Sequence, residues 1–125
     1  MSKGWIKPLF FIAGIYDLVA GGLMLFAAAY IFRLTGTTAP DPGYIQFPAL
    51  LVMLFGIMFL FIAANPVARR ELIAYGMGLK ASYSGVIFWH QLTGSVAFLY
   101  VPLAWADFTF LVLFFLAWRS LAPKP

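Results

Sequence analysis

Four long apolar runs follow one another along the chain, separated by short polar or proline-containing breaks. About 20 apolar residues are enough to cross the hydrocarbon core of a bilayer as a helix, at roughly 1.5 Å per residue. The pattern predicts helices over approximately residues 8–33, 45–64, 67–91 and 95–119. The predicted fold class is all-α, an integral membrane four-helix transmembrane bundle, with residues 1–125 forming a single transmembrane domain.

The breaks carry residues that stop one helix and start the next. Residues 33–43, RLTGTTAPDPG, form the only long polar loop. Asn65 and Pro66 end the second run, because proline removes a backbone donor. The same pair is predicted to begin the third helix, with Asn65 as the N-cap, Pro66 at the first helical position and Glu71 in the first turn, where the helix dipole favours a negative charge.

The last two runs are joined by LTGS, residues 92–95, which is short enough to predict an antiparallel hairpin. Pro102 falls inside the fourth predicted helix. There it is expected to leave the Phe98 carbonyl without its usual donor and to bend the helix.

Basic side chains indicate the orientation. Six lie on one side of the predicted spans and Arg33 alone on the other; the six are Lys3, Lys7, Arg69, Arg70, Arg119 and Lys124. Basic residues concentrate on the cytoplasmic side of membrane proteins. Both termini are therefore predicted to be cytoplasmic, and this bias argues against a dual-topology antiparallel dimer.

Composition narrows the classes of function. Hydrophobic residues make up 64% of the chain and charged residues 10%, far from the usage of soluble domains. The net charge of +4 is dispersed at the ends of apolar runs, which argues against nucleic acid as a partner. Without cysteine and with a single histidine, the chain has no thiolate or iron–sulfur ligands and no histidine pair for haem, so we expect no cofactor and no metal.

Three ionisable residues fall deep inside the apolar runs: Asp17, Lys80 and Asp107. Counted from the predicted cytoplasmic ends, all three lie roughly 13 to 20 Å deep. Isolated charges in lipid are costly, so we expect these three to form a cluster inside the bundle. Two carboxylates and one ammonium leave one negative charge in excess, which a proton, a cation or a hydrogen-bonded ligand would neutralise.

Several neighbours are candidates to support this cluster. Small residues precede or follow each charge by one helical turn and permit close helix approach; they are Gly14, Gly21, Gly76, Ser84 and Ala104. The hydroxyls of Tyr16 and Tyr83 are predicted to complete its hydrogen bonding. His90, at the outer end of the third helix beside Trp89, is a further candidate, although an interfacial side chain facing water is the better interpretation.

Three functions remain open for the cluster. It is either a binding or transport-related site for a small molecule or proton, or interhelical glue in a structural or accessory subunit of a membrane complex, or part of an enzyme. Catalysis is the weakest of the three. The predicted partners are the lipid bilayer, a small-molecule ligand, and a membrane-protein partner or a second copy of the chain.

The segments around the three charges resemble a known group. GIYDLVAGG (14–22), GLKASYSG (78–85) and AWADFTFLVLFF (104–115), together with the proline-containing loop and the Asn-Pro turn, are similar to the DoxX-like small bacterial inner-membrane proteins. The resemblance implies a four-helix bundle in the bacterial cytoplasmic membrane. DoxX proper is associated with thiol redox complexes, and a chain without cysteine would serve such a complex only as an accessory subunit.

Overall fold

The computed structural model describes residues 3–123, and their regular structure is entirely helical. Five helices follow one another: α1 (Ile6–Phe26), α2 (Ala28–Leu34), α3 (Pro42–Ala64), α4 (Arg70–Thr93) and α5 (Tyr100–Ser120). Among the described residues, α1, α3 and α5 are each long and apolar enough to cross a membrane. They indicate a membrane protein. The 24-residue α4 carries Arg70, Glu71 and Lys80 and is not among these three.

The prediction of one helix over residues 8–33 is wrong, because the chain bends at Ala27, between α1 and α2. Ala27 has φ −126° and ψ 19°, outside the helical range. Its N–H still donates to the Leu23 carbonyl at 2.7 Å, and its own carbonyl accepts from Ile31 at 3.0 Å, so the chain direction largely continues. Residues 23–31 contain neither proline nor glycine, and alanine is a strong helix former, so the sequence gives no signal for this bend.

Gly36 ends α2. It has φ +65°, in the left-handed region that glycine adopts without cost. Its N–H donates to the Arg33 carbonyl at 3.3 Å and that of Thr37 donates to Phe32 at 2.9 Å. This is the Schellman arrangement, which satisfies the last carbonyls of a helix and directs the chain into the loop that leads to α3.

The turn between α3 and α4 differs from the prediction. The Asn65 side chain accepts a hydrogen bond from the Ala68 N–H at 3.3 Å, as an N-cap does, but residues 66–69 form turns and α4 begins only at Arg70. Pro66 is therefore not the first residue of α4. Glu71 does lie in its first turn.

The loop that connects α4 and α5 is also longer than the predicted residues 92–95. Residues 94–99 connect the two helices, and α5 begins at Tyr100. Pro102 thus lies in the first turn of α5, where its missing N–H would have no partner within the helix in any case. The interior position predicted for Pro102 is wrong, and the Phe98 carbonyl has a donor, because it accepts from the Val101 N–H at 3.1 Å.

The helices form two antiparallel pairs. α1 packs mainly against α3 and α4 mainly against α5, and the two pairs share a thinner interface. One core closes that interface, where the fully buried rings of Phe10, Phe59 and Phe114 pack against one another with centroids 4.6 to 6.1 Å apart. These rings come from α1, α3 and α5, so the aromatic core holds both pairs together at one end.

Small residues bring α1 and α3 close. A Cβ on Gly14 would lie 2.8 Å from the Gly56 carbonyl oxygen, and a Cβ on Gly21 would lie 2.7 Å from the Ala49 carbonyl oxygen. Such contacts leave no room for a methyl group. The two helices therefore approach closely along a seam that begins one turn before Asp17 and ends one turn after it.

Candidate functional site

Each of the three deep charges occupies a core position of its helix. In α1, Asp17 continues the buried stripe that includes Ala13, Gly14 and Gly21. Lys80 and Asp107 likewise belong to the buried stripes of α4 and α5. The buried residues of α4 are Ile73, Gly76, Lys80, Ser84 and Ile87. Those of α5 are Ala104, Asp107, Phe114 and Ala117. Spacings of three and four residues place each set on one helix face. The charges therefore point toward the interface between the two helix pairs.

The structure brings the three charges together, as the sequence predicts. The Lys80 Nζ atom lies 2.7 Å from Asp17 Oδ1 and 3.2 Å from Asp107 Oδ1, and it donates a hydrogen bond to each. The exposed fractions of the side chains are 1% for Lys80, 3% for Asp17 and 11% for Asp107. We refer to these three residues as the charge cluster. It is nearly sealed from its surroundings and slightly open at Asp107.

Aromatic rings complete the surroundings of the ammonium. The ring centroids of Tyr16, Phe59 and Phe110 lie 5.4, 5.5 and 5.1 Å from Lys80 Nζ. These distances are in the range of cation–π interactions. The sequence did not single out Phe59 or Phe110, because the chain has 14 phenylalanines. The only available signal was that Phe110 follows Asp107 by one helical turn.

Two buried polar atoms of α1 have no hydrogen-bond partner. Within residues 3–123, Asp17 Oδ2 and the Tyr16 hydroxyl are buried and make no hydrogen bond. A buried polar group without a partner costs about 1 to 3 kcal/mol. The prediction that Tyr16 completes the hydrogen bonding of the cluster is therefore wrong for its hydroxyl, although its ring faces the ammonium.

The other predicted supporting residues make no hydrogen bond to the carboxylates. The Tyr83 hydroxyl donates to the Tyr100 carbonyl at 3.1 Å rather than to the cluster, and it joins α4 to α5. Ser84 is buried and donates to the Lys80 carbonyl at 2.7 Å, one turn back in the same helix. His90 is exposed and lies ten residues beyond Lys80, about 15 Å along α4. The structure thus does not bring His90 to the cluster.

Neither of two apolar surface grooves in the described part of the chain is lined by a residue of the cluster. The larger, of about 610 Å³, lies between α1 and α3 and is lined by Lys7, Pro8, Phe11, Leu60, Ala63 and Ala64. The smaller, of about 260 Å³, lies on α3 and is lined by Leu54, Phe55, Ile57, Met58 and Phe61. Access to the cluster by these two grooves is therefore closed.

No match to this chain is found among protein-family models, curated proteins or solved structures. The chemistry of the cluster therefore rests on its own atoms. Its carboxylates already share the Lys80 ammonium, so a metal ion or another cation would have to compete with that side chain or bind to the free oxygen of Asp17. With all three groups ionised, the cluster carries one negative charge in a surrounding of apolar rings.

Proposed function

We propose that this protein is a multi-pass protein of the bacterial cytoplasmic membrane with a four-helix transmembrane bundle. In this bundle α1 and α2 together form the first span, and α3, α4 and α5 form the other three. The three apolar helices support it, as does the antiparallel packing of α4 along α5. The resemblance of the segments around the three charges to DoxX-like proteins supports the bacterial membrane and is part of this proposal.

We further propose that both termini are cytoplasmic. Lys3, Lys7, Arg69, Arg70 and Arg119 lie at the ends of α1, α4 and α5 that face one side, whereas Arg33 lies at the opposite side. Lys124 falls outside the described residues. Reporter fusions after residue 123 and within the loop of residues 35–41 test the orientation. A C-terminal fusion that is active only outside the cytoplasm overturns it.

We propose that the charge cluster makes the protein a binding or transport-related module for a proton or a small molecule. The observation that carries this proposal is the unpartnered Oδ2 atom of Asp17, in a cluster with one negative charge in excess. A cluster selected only for adhesion between helices would be expected to be fully paired, because each unpaired buried group weakens that adhesion. An unoccupied acceptor and an excess charge are both removed when a proton or a hydrogen-bond donor binds.

Infrared spectroscopy of the purified protein at neutral pH tests the proton form of this proposal. A protonated carboxyl group has a carbonyl stretch separate from that of a carboxylate. We expect such a band in the wild-type protein, and we expect Asp17→Asn or Asp107→Asn to remove it, whereas Asp41→Asn, in the exposed loop before α3, leaves it unchanged. Two ionised carboxylates without a bound cation or ligand would remove the reason to treat the cluster as a site.

A structural or accessory subunit is the second candidate function. The sealing of the cluster favours it, because Lys80 and Asp17 are almost fully buried and the two apolar grooves do not reach them. In this case the cluster only fixes which helices are neighbours. A variant with apolar residues at all three positions should then fold and retain its place in the membrane complex, whereas a binding module with the same changes folds but loses its ligand.

A further inference from the structure

The surroundings of the Lys80 ammonium have the chemistry of a cation site. Two carboxylate oxygens lie within 3.2 Å of Nζ, and three aromatic ring centroids lie within 5.5 Å. Carboxylates attract a cation by their charge, and ring faces attract it by their quadrupole. All five groups thus favour a positive occupant. An anionic ligand would meet both carboxylates and the negative faces of the rings, so the site excludes it.

Lys80 satisfies only part of this site. Asp17 is almost fully buried, and its Oδ2 atom has no hydrogen-bond partner among residues 3–123. An ionised carboxylate oxygen only accepts hydrogen bonds, so the missing partner is a donor. The charge count leads to the same requirement, because two carboxylates need two positive charges for neutrality and the chain supplies one. A donor that carries a positive charge meets both requirements at once.

We infer that the small molecule bound by the charge cluster is a small primary ammonium ion, which donates an N–H hydrogen bond to Asp17 Oδ2. This inference rests on the proposed function, namely that the cluster is a binding site. With one ammonium at each carboxylate the cluster becomes neutral, since Asp107 retains Lys80 while the ligand binds Asp17. With an exposed side-chain fraction of 11%, Asp107 is the most exposed member of the cluster.

The size of the ligand is limited by the packing around Asp17. Gly14 and Gly21, one turn on either side of it, are already in contact with α3, so the helices leave little free space there. Ligands with a short alkyl chain, such as methylammonium, therefore fit better than bulky amines. The hydrogen bond to Asp17 Oδ2 limits the ligand further. Tetramethylammonium carries the same charge as methylammonium but has no N–H group, so it cannot donate a hydrogen bond to this atom.

Nuclear magnetic resonance of the full-length wild-type protein with ¹⁵N-labelled lysine tests this inference. The chain has four lysines, and the Lys80 ammonium signal is assigned by its loss in Lys80→Met. We expect methylammonium chloride to shift the Lys80 signal in a saturable manner. Tetramethylammonium chloride and sodium chloride at the same ionic strength, and sodium acetate as an anion control, should leave it unchanged.

Variants assign the binding to Asp17. We expect Asp17→Asn to weaken methylammonium binding at least tenfold, because it removes the charge of the accepting group, whereas Asp41→Asn in the exposed loop leaves the affinity unchanged. If Asp17→Asn does not fold, the comparison of methylammonium with tetramethylammonium on the wild-type protein decides by itself. An absence of a saturable shift, or an equal shift with tetramethylammonium, overturns the inference.

The outcome is distinguishable from a failure of the proposed function. If the infrared spectrum shows a protonated carboxyl group and methylammonium does not bind, the cluster is a proton site and only the ammonium inference is wrong. If neither a proton nor an ammonium ion is bound, both proposals are wrong and the cluster is structural. Saturable binding of methylammonium supports both.

Discussion

Lys80 and Asp17 connect the two helix pairs through a 2.7 Å ion pair between α4 and α1. Asp107, the other carboxylate, lies on α5 and therefore belongs to the same pair as Lys80. The two contacts of the ammonium thus have different structural roles. The contact with Asp17 joins the pairs across their thin interface, whereas the contact with Asp107, at 3.2 Å, holds one pair together.

This difference predicts unequal effects of neutralising the two carboxylates. Either change leaves Lys80 paired with the remaining carboxylate, so no buried charge is left without a counter-ion. A hydrogen bond to a charged group contributes about 1.5 to 3 kcal/mol, and we expect Asp17→Asn to reduce the free energy of unfolding by an amount in this range. Asp107→Asn should cost less, because its contact is longer, lies within one pair and is partly exposed. Reversible unfolding in detergent measures both, and a larger loss for Asp107→Asn contradicts the assigned roles.

A second prediction separates adhesion from binding. Lys80→Met alone leaves two buried carboxylates without a counter-ion and should be the most destabilising single change in the cluster. Replacing a whole buried ion network by apolar residues of similar volume is often neutral or stabilising. We therefore expect the variant Asp17→Leu, Lys80→Met, Asp107→Leu to regain most of the stability lost in Lys80→Met.

The comparison needs one stability measurement and one binding measurement. Thermal unfolding in detergent gives the stability of the single and triple variants. The titration with methylammonium gives the binding, which the triple variant should lack. A triple variant less stable than Lys80→Met would show that the charges contribute more to the fold than their replacement by apolar groups does.

The charge cluster was predictable because depth in a membrane is nearly proportional to residue count in a helix. Isolated charges in lipid are costly, so charged residues at equal depth in apolar helices are expected to pair with one another, as Asp17, Lys80 and Asp107 do. The aromatic partners were not predictable in the same way. Phe59 and Phe110 resemble any other phenylalanine in a lipid-exposed helix, and only the three-dimensional packing distinguishes them.

Helix ends were predicted less well than helix existence. The bend at Ala27 lies in an alanine-rich segment with high helix propensity, so its cause lies in packing rather than in local sequence. The start of α5 was placed too early because the predicted turn is limited to LTGS, residues 92–95, which places Pro102 in a helix interior. Proline is equally compatible with a first turn, and the periodicity of an apolar run does not distinguish the two positions.

Two glycines of α4 make a third, matched prediction. A Cβ on Gly76 would lie 2.5 Å from Cε1 of Phe59, a fully buried ring in the aromatic core, whereas a Cβ on Gly78 would meet nothing within 4 Å. Gly76→Ala should therefore destabilise the protein by about 1 to 3 kcal/mol through overpacking. Gly78→Ala should be neutral or stabilise it by up to about 1 kcal/mol, because alanine favours helix more than glycine does.

Both substitutions add the same methyl group to the same helix, so each serves as the control for the other. Thermal unfolding in detergent is the measurement. Because the Phe59 ring also faces the Lys80 ammonium, Gly76→Ala should in addition shift the ¹⁵N signal of Lys80, which Gly78→Ala leaves in place. Equal stabilities of the two variants would contradict the close packing of Gly76 on Phe59.

The last prediction concerns the contact that closes the α4–α5 pair at its basic end. The Arg70 Nε atom donates to the Trp118 carbonyl at 2.8 Å, and the guanidinium lies 4.2 Å from the centroid of the Trp118 ring. This hydrogen bond satisfies a carbonyl in the last turn of α5, which has no partner within the helix. Hydrogen bonds to charged groups contribute about 1.5 to 3 kcal/mol. We expect Arg70→Ala to lower the free energy of unfolding by roughly this amount.

Arg69 provides the control, because it has the same charge and adjoins Arg70. It is exposed, and its guanidinium lies 5.3 Å from the centroid of the Phe61 ring. Arg69→Ala should cost less than about 1 kcal/mol. Arg70→Lys keeps the positive charge but loses the planar guanidinium, so we expect it to be less stable than the wild type. If Arg70→Lys is as stable as the wild type, the contribution of Arg70 is its charge alone, and the specific contact with Trp118 does not stabilise the pair.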